Sequence, residues 1–495
     1  MAEAGGDGSK AETGSSRRTI LIALLVAGTF FMENLDGTVI ATAIPQMARS
    51  FGASPVDLNI GITAYLLALA MFIPMSGWLT DRFGSRIVFG TAITVFTLSS
   101  VLCAVCGSLV TFTAARILQG IGGAMMVPVG RLVVLRNTPK RDFVTAIAYI
   151  TWPGLVAPVL GPPLGGFITT YLSWRWIFLL NIPLGILALV MAGLLIPNER
   201  EPVPPPFDVR GFLLSGVGCA LLIFGLDLVG RLDSTWSIGT GMLAVSVVLG
   251  TAAVRHFRTH PHPLVDLDAL KVPTFAVSFW GGSVFRIAIG TTPFLLPLLF
   301  QIGFGMSAFV SGMLVLSVFA GNLLMKPATT PILRRFGFRT TLIGNGVLSA
   351  ITLLACCFLS PATPLPLIAA ILFVGGLCRS MQFTCLNAMA FADIPPARMS
   401  RSTTLSSTVQ QMTLAVGVAF GAILLRLSSF LGGSYAQSTP TIGDFRITFA
   451  LISLVALAAI VNCFKLPPDA GSEVSGHRAF VKSRAVPQTA EEAVD

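Results

Sequence analysis

Between Thr19 and Phe464 the chain is a succession of apolar stretches, each about as long as a bilayer is thick, joined by short connectors that hold most of its charge. A helix rises about 1.5 Å per residue, so about 20 apolar residues cross the roughly 30 Å hydrocarbon core. Helices satisfy their own backbone groups there, which an open chain does not. Eight stretches run Thr19–Met47, Val56–Trp78, Ile87–Cys106, Val110–Leu135, Val144–Thr170, Trp174–Ile196, Gly211–Val229 and Ile238–Val254. Six more follow at Phe275–Gln301, Phe309–Pro327, Thr341–Leu359, Leu365–Cys385, Thr404–Leu425 and Thr448–Phe464. These fourteen predict an all-α polytopic membrane protein. Only 11% of the 495 residues are charged, against about 25% in soluble domains. Little chain remains for a large catalytic domain outside the membrane.

The balance of +10 reports orientation before it reports a partner, because cytosolic loops retain Lys and Arg. With both termini cytosolic, 24 of the 32 basic residues fall inside. Five fall outside (Arg49, Arg175, Arg231, Arg426 and Arg446), and Arg116, Arg286 and Arg379 fall within spans. The basic excess therefore calls for no nucleic acid. Treating Gly211 to Val254 as a re-entrant pair leaves this parity unchanged, but its length and apolarity favour two true spans.

The polar start lacks the pattern of a secretory signal. The expected organisation is a disordered cytosolic tail (1–18), a six-helix bundle (19–196), a linker with two additional helices and a cytosolic loop (197–272), a second six-helix bundle (273–466) and a disordered cytosolic tail (467–495). Two echoes support a duplicated bundle: Asp81-Arg82-Phe83-Gly84-Ser85-Arg86 recurs as Arg334-Arg335-Phe336-Gly337-Phe338-Arg339, and Arg116-x-x-Gln119 recurs as Arg379-x-x-Gln382.

Charges within spans are costly and face a cavity or a partner. Glu33 and Asp36 lie three residues apart, on one face of span 1. By helical rise, Asp36 lies about 25 Å from the cytosolic end of its span and Arg116 about 10 Å from the outer end of span 4, so the two stand at similar depth. A cavity carboxylate beside a cation that is exposed alternately to two sides binds and releases protons; a fixed structural ion pair is the competing reading. The connector after span 2, with Gly77, Asp81, Arg82, Gly84 and Arg86, reads as a charged cytosolic gate or as a plain topology anchor. In span 5, Gly161, Pro162, Gly165 and Gly166 combine missing backbone donors with room for a close neighbour, which suits a moving interface as well as a static kink. Arg286 is a candidate substrate contact, or it pairs with a carbonyl or helix end.

Other function classes find little here. None of the six lysines follows a glycine, so the phosphate-loop pattern is absent. The eight cysteines lie in apolar stretches, where packing is their expected role, and His256, His260 and His262 form the one local histidine group, without cysteine or a tight metal motif. No metal and no cofactor is expected, and no enzyme activity.

Taken together, these motifs resemble the major facilitator superfamily, in particular its fourteen-span drug:proton antiporter branch, of the multidrug efflux type. The Asp81 connector is similar to the signature between spans 2 and 3, and Arg116-x-x-Gln119-Gly120 to the span 4 motif. Gly161-Pro162-x-x-Gly165-Gly166 looks like the antiporter motif of span 5. Leu35-Asp36-x-Thr38 through Ala43-Ile44-Pro45 looks like the span 1 motif, with Ala41 where an asparagine is common. Trp174-Arg175-Trp176-Ile177-Phe178-x-x-Asn181-Ile182-Pro183 also resembles that branch.

The resemblance implies the major facilitator fold, two six-helix bundles with two inserted central helices, in a plasma membrane, by resemblance the bacterial inner membrane. It implies proton coupling at Asp36 and Arg116, with Glu33 beside them, and alternating access without a cofactor. Small amphipathic drugs or other organic compounds would be exported against protons by a monomer in the lipid bilayer. The alternative is a symporter that imports a small organic solute. Between Asp268 and Asp444 the only acidic residue is Asp393; since dication exporters of the branch it resembles tend to carry a further carboxylate in later spans, the resemblance implies no such specialisation here.

Overall fold

The computed structural model describes residues 7–136, 143–198, 206–230, 235–261, 263–265, 267–394, 399–432 and 439–467, and among these it is helical without strands. The first half comprises α1 (Asp7–Phe51), α2 (Asn59–Phe72), α3 (Met75–Phe83), α4 (Ser85–Val105), α5 (Leu109–Arg136), α6 (Phe143–Tyr171), α7 (Trp176–Leu179) and α8 (Asn181–Leu195). Two further helices follow, α9 (Val209–Gly230) and α10 (Trp236–Thr259). The second half comprises α11 (Pro273–Gly290), α12 (Thr292–Leu298), α13 (Ala308–Leu324), α14 (Lys326–Ala355), α15 (Leu365–Phe391), α16 (Met399–Leu431) and α17 (Ile442–Ile460).

Among the described residues, eleven segments are long and apolar enough to cross a membrane, or twelve when the bent pair α2–α3 counts as one span. Helices α6 and α13 stand where the fifth and tenth spans are expected, so the inventory is compatible with fourteen. Proline explains the breaks. Pro74 precedes α3 and the axis turns by 57° there, because a proline ring removes a donor and clashes with the preceding turn. Pro293 starts α12, and Pro297 precedes a π-helical turn over Leu299–Gly303.

Two expectations need correction. Residues 7–18 continue α1 instead of forming an unstructured tail; Lys10, Ala11, Glu12, Arg17 and Arg18 are good helix formers, and extending an existing helix needs no new nucleus. Residues 1–6 lie outside the described residues, as do 468–495 of the other expected tail. The Gly77–Arg86 connector is also not a loop: Gly77 to Phe83 are helical, and only Gly84 departs, with φ +94°. Gly337, its counterpart in the second echo, has φ +71°. The repeat thus reaches the backbone, at positions where a side chain would be strained.

Helix α9 lies along α10 and also touches α2 and α16, so the inserted pair reaches both halves. Among the described residues, three hydrogen bonds join the halves directly. Gln301 Nε2 donates to the Thr42 carbonyl at 3.1 Å, the Phe309 amide to Thr170 Oγ1 at 3.1 Å, and Arg426 Nη2 to Asp57 Oδ1 at 2.5 Å. All three lie at span ends assigned to the outer side, where the seam between the halves is closed.

Candidate functional site

Asp36 sits on α1 with 4% of its surface exposed, and three side chains from two other helices donate to it. Arg116 Nη1 of α5 reaches Oδ2 at 2.7 Å, Gln119 Nε2 reaches Oδ1 at 2.9 Å, and Asn181 Nδ2 at the start of α8 reaches Oδ1 at 2.8 Å. Arg116 Nη1 also donates to Gln119 Oε1 at 2.6 Å, which fixes the glutamine amide with its nitrogen toward the carboxylate. Ser100 Oγ of α4 accepts from Gln119 Nε2 at 2.9 Å and from Asn181 Nδ2 at 3.2 Å. The Arg116 guanidinium lies 4.1 Å from the centroid of the Tyr65 ring, completely buried, with its Nε and Nη2 unpartnered among the described residues.

This network can respond to a proton. An ionised carboxylate is acceptor-only and satisfies all three donors, whereas a protonated one presents an O–H to groups that themselves donate. Gaining a proton therefore removes the fit that holds α1, α5 and α8 together here. Gly120 lets α5 approach α2 closely: a methyl carbon on it would lie 2.5 Å from the Tyr65 carbonyl oxygen.

The motifs read from the sequence contain Asp36, Arg116, Gln119 and Asn181, but give Asn181, Ser100 and Tyr65 no role. The available signal was the place of Asn181 in the motif that runs from Trp174 to Pro183. Glu33 stays out of the network. Its Oε2 is buried without a hydrogen-bond partner among the described residues, and it shares with the Tyr65 hydroxyl the space beside Gly123, where a methyl carbon would lie 3.7 Å from the Glu33 carboxyl carbon and 3.4 Å from that hydroxyl.

At the cytosolic end, Asp81 pairs with Arg136 of α5 at 3.4 Å, and Arg136 also donates to Ser85 Oγ at 3.4 Å. Arg82 and Arg86 are exposed, as is Gly77. Gly84 packs against the side chain of Asn198, whose Oδ1 accepts from the Ile87 amide at 3.4 Å. The site therefore joins α3, α4 and α5 with the segment after α8.

Helix α6 is sandwiched. Gly161 and Gly165 face α1: a methyl carbon on Gly165 would lie 2.6 Å from the Val39 carbonyl oxygen, and one on Gly161 would strike Thr38 Oγ1. Gly166 faces α13, where a methyl carbon would lie 2.5 Å from the Ala308 carbonyl oxygen. Gly312 of α13 in turn abuts the Pro162 carbonyl. Small residues bring backbones together where lipid supplies no hydrophobic drive between helices, and here they bring the two halves together.

Arg286 is buried on α11 and donates through Nη2 to Asn387 Oδ1 at 3.0 Å; its Nε has no partner among the described residues. That Oδ1 is an amide carbonyl oxygen, so the carbonyl partner anticipated for Arg286 is present, on a side chain. Arg379 lies 5.7 Å from the ring centroids of both Phe319 and Phe383.

One cluster of metal-ligating types occurs among the described residues, Asp208 with His256 and His260 at the cytosolic ends of α9 and α10. Its carboxylate already serves the fold: Asp208 Oδ1 accepts from the Gly211 amide and His256 Nε2 at 2.8 and 2.7 Å, and Oδ2 from the Leu264 amide at 3.1 Å. Burial alone would raise the Asp208 pKa, but these donors and the charge of His256 together hold it below its ordinary value. His262 lies outside the described residues.

The Major Facilitator Superfamily profile matches residues 26–418 and 278–489. The "Putative multidrug resistance protein MdtD" of Escherichia coli O157:H7 (strain EC4115 / EHEC) is 37% identical over 454 residues, covering 91% of this chain and 95% of the relative. The protein of the same name in Shigella sonnei (strain Ss046) is likewise 37% identical over 454 residues, with the same coverage. Two solved structures share the fold at 16% identity and TM-score 0.64. One is a bacterial homologue of the human lysosomal transporter Spinster, inward-facing and unoccupied, covering 90% of this chain and 97% of its own. The other is a D-xylose-proton symporter, covering 92% of this chain and 98% of its own.

Proposed function

The chain belongs to the major facilitator superfamily, and from that premise we propose that it is a proton-coupled antiporter exporting small amphipathic organic compounds, as the name of its MdtD relatives suggests. As a member it is a multi-pass protein of the bacterial inner membrane and a transporter, not an enzyme. The observation that carries the finer reading is the buried carboxylate of Asp36, held by Arg116, Gln119 and Asn181 from helices distant in sequence.

In the proposed cycle the closed outer seam leaves the site facing the cytosol, where substrate enters between the two halves. Transition to the outward state parts α6 from α13 and breaks the Arg426–Asp57 contact. A proton then reaches Asp36 and releases its donors from their ionised acceptor; on return to the inward state the donors regain the carboxylate and the proton leaves to the cytosol. Proton and substrate thus occupy the protein in alternation, which is the condition for exchange. Asp81 and Arg136 secure the cytosolic end of the first half. Gly161, Pro162, Gly165 and Gly166 form the surface on which that half moves against the second. The proposed units are the bundles 19–196 and 273–466 with the inserted segment 197–272 between them, in a monomer.

Inside-out proteoliposomes test the reading. An acid lumen should drive accumulation of an exported drug, and Asp36→Asn, confirmed as folded by size-exclusion chromatography, should abolish it. Accumulation only in right-side-out vesicles would establish symport instead.

A further inference from the structure

The two halves differ in how they treat a buried arginine. In the first, Arg116 of the Arg-x-x-Gln motif meets the carboxylate of Asp36 at 2.7 Å. In the second, Arg379 opens the echo of that motif, and beside it lies a cavity of about 40 Å³ lined by Ile289, Thr292 and Thr352. No carboxylate contacts Arg379 or Arg286 among the described residues. The sequence explains why: Asp393 is the one acid between Asp268 and Asp444, and it accepts from Thr274 Oγ1 at 2.8 Å, at the cytosolic end of α15.

Arg286 and Arg379 flank one ring. Their guanidinium carbons lie 5.9 and 5.7 Å from the centroid of Phe383, and each borders a small cavity of its own, Arg379 the one just described and Arg286 another beside Phe279 and Val409. Lys326 Nζ donates at 3.0 Å to Thr384, the neighbour of Phe383, toward the cytosolic mouth. Arg286 is 3% exposed and retains an unpartnered Nε. Aromatic faces and one amide oxygen compensate two guanidinium charges only in part, and uncompensated charge at this depth is costly.

We propose that the second half carries an anion-binding subsite formed by Arg286, Arg379 and Phe383, and that the exported compounds include organic anions with an apolar or aromatic body. This deepens the efflux reading and rests on it for direction of transport. The guanidinium groups receive the carboxylate or sulfonate, and Phe319 and Phe383 receive the ring system. A membrane potential negative inside assists the export of such an anion.

Two probes that share an N-phenylnaphthylamine body separate charge from shape: anilinonaphthalene sulfonate and neutral phenylnaphthylamine. Binding of each to the full chain in lipid nanodiscs is measured by titration calorimetry, with empty nanodiscs subtracted. The wild type should bind the sulfonate at least about ten-fold more tightly, the scale of one charge-assisted hydrogen bond. Arg286→Ala and Arg379→Gln should each remove about that factor for the sulfonate and leave the neutral probe unchanged, with Arg286→Lys intermediate. Equal affinity of the wild type for both probes, or parallel losses for both in the variants, would overturn the subsite. Should a variant not fold, the wild-type comparison still decides. Selective sulfonate binding without proton-driven transport would leave the subsite standing and remove the efflux reading.

Discussion

A double-mutant cycle on Asp36 and Arg116 probes the central network most directly. In Asp36→Asn the single amide oxygen faces either Arg116 or the pair Gln119 and Asn181, and its NH2 group is turned toward donors in the other direction. With the guanidinium fully buried, removing its counter-charge should cost about 3–5 kcal/mol. Arg116→Gln leaves the carboxylate two of its three donors, and its loss should be about 1.5–3 kcal/mol, that of a hydrogen bond to a charged group. The double variant buries neither charge, so it should cost less than the sum of the single losses by about 2–3 kcal/mol, near the upper end for coupled residues. Reversible unfolding in mixed detergent micelles supplies the stabilities, and inside-out proteoliposomes supply transport. The double variant should regain stability without regaining proton-driven transport, which separates the structural work of the pair from its work in coupling. Additivity within about 0.5 kcal/mol would show that the two residues do not sense each other, and normal transport by the double variant would remove them from the mechanism.

Gly312→Ala should push α13 away from the Pro162 carbonyl, cost about 1–3 kcal/mol and loosen the outer seam. A cysteine introduced at Phe309, in a background without the eight native cysteines, should then react faster with an impermeant maleimide. Arg426→Ala removes the cation that Asp57 and the buried Asp227 share; a loss of about 3–5 kcal/mol in detergent unfolding is expected from breaking this buried ion pair. For Asp208, whose folded pKa lies below the ordinary value of 3.8, the linked stabilisation is complete above that value and disappears as pH falls through the lower folded one. Hydrogen exchange at the Gly211 and Leu264 amides should therefore stay protected through mild acid and accelerate only below pH 3.8, a transition that Asp208→Asn should lack.

The membrane class was legible in the sequence, which also led to an expected order and orientation of the spans and an expected duplicated plan. These depend on quantities local to a segment: length, apolarity and the side on which Lys and Arg collect. It also singled out Asp36, Arg116 and Gln119, because polar groups in apolar helices stand out. Partnership is another matter. Asn181 reaches Asp36 across 145 positions of the chain and Arg426 reaches Asp57 across 369. No periodicity carries such pairings, because they depend on which helix faces pack together. The packing of the helices showed that Glu33 lies outside the hydrogen bonds of Asp36, that Gly166 and Gly312 join opposite halves, and that α9 supplies Asp227 to the Arg426–Asp57 contact. It also showed that the arginine of the second half faces Phe319 and Phe383 where its counterpart faces an acid. Hydropathy places a charge in the membrane, but the packing of distant helices selects what compensates it.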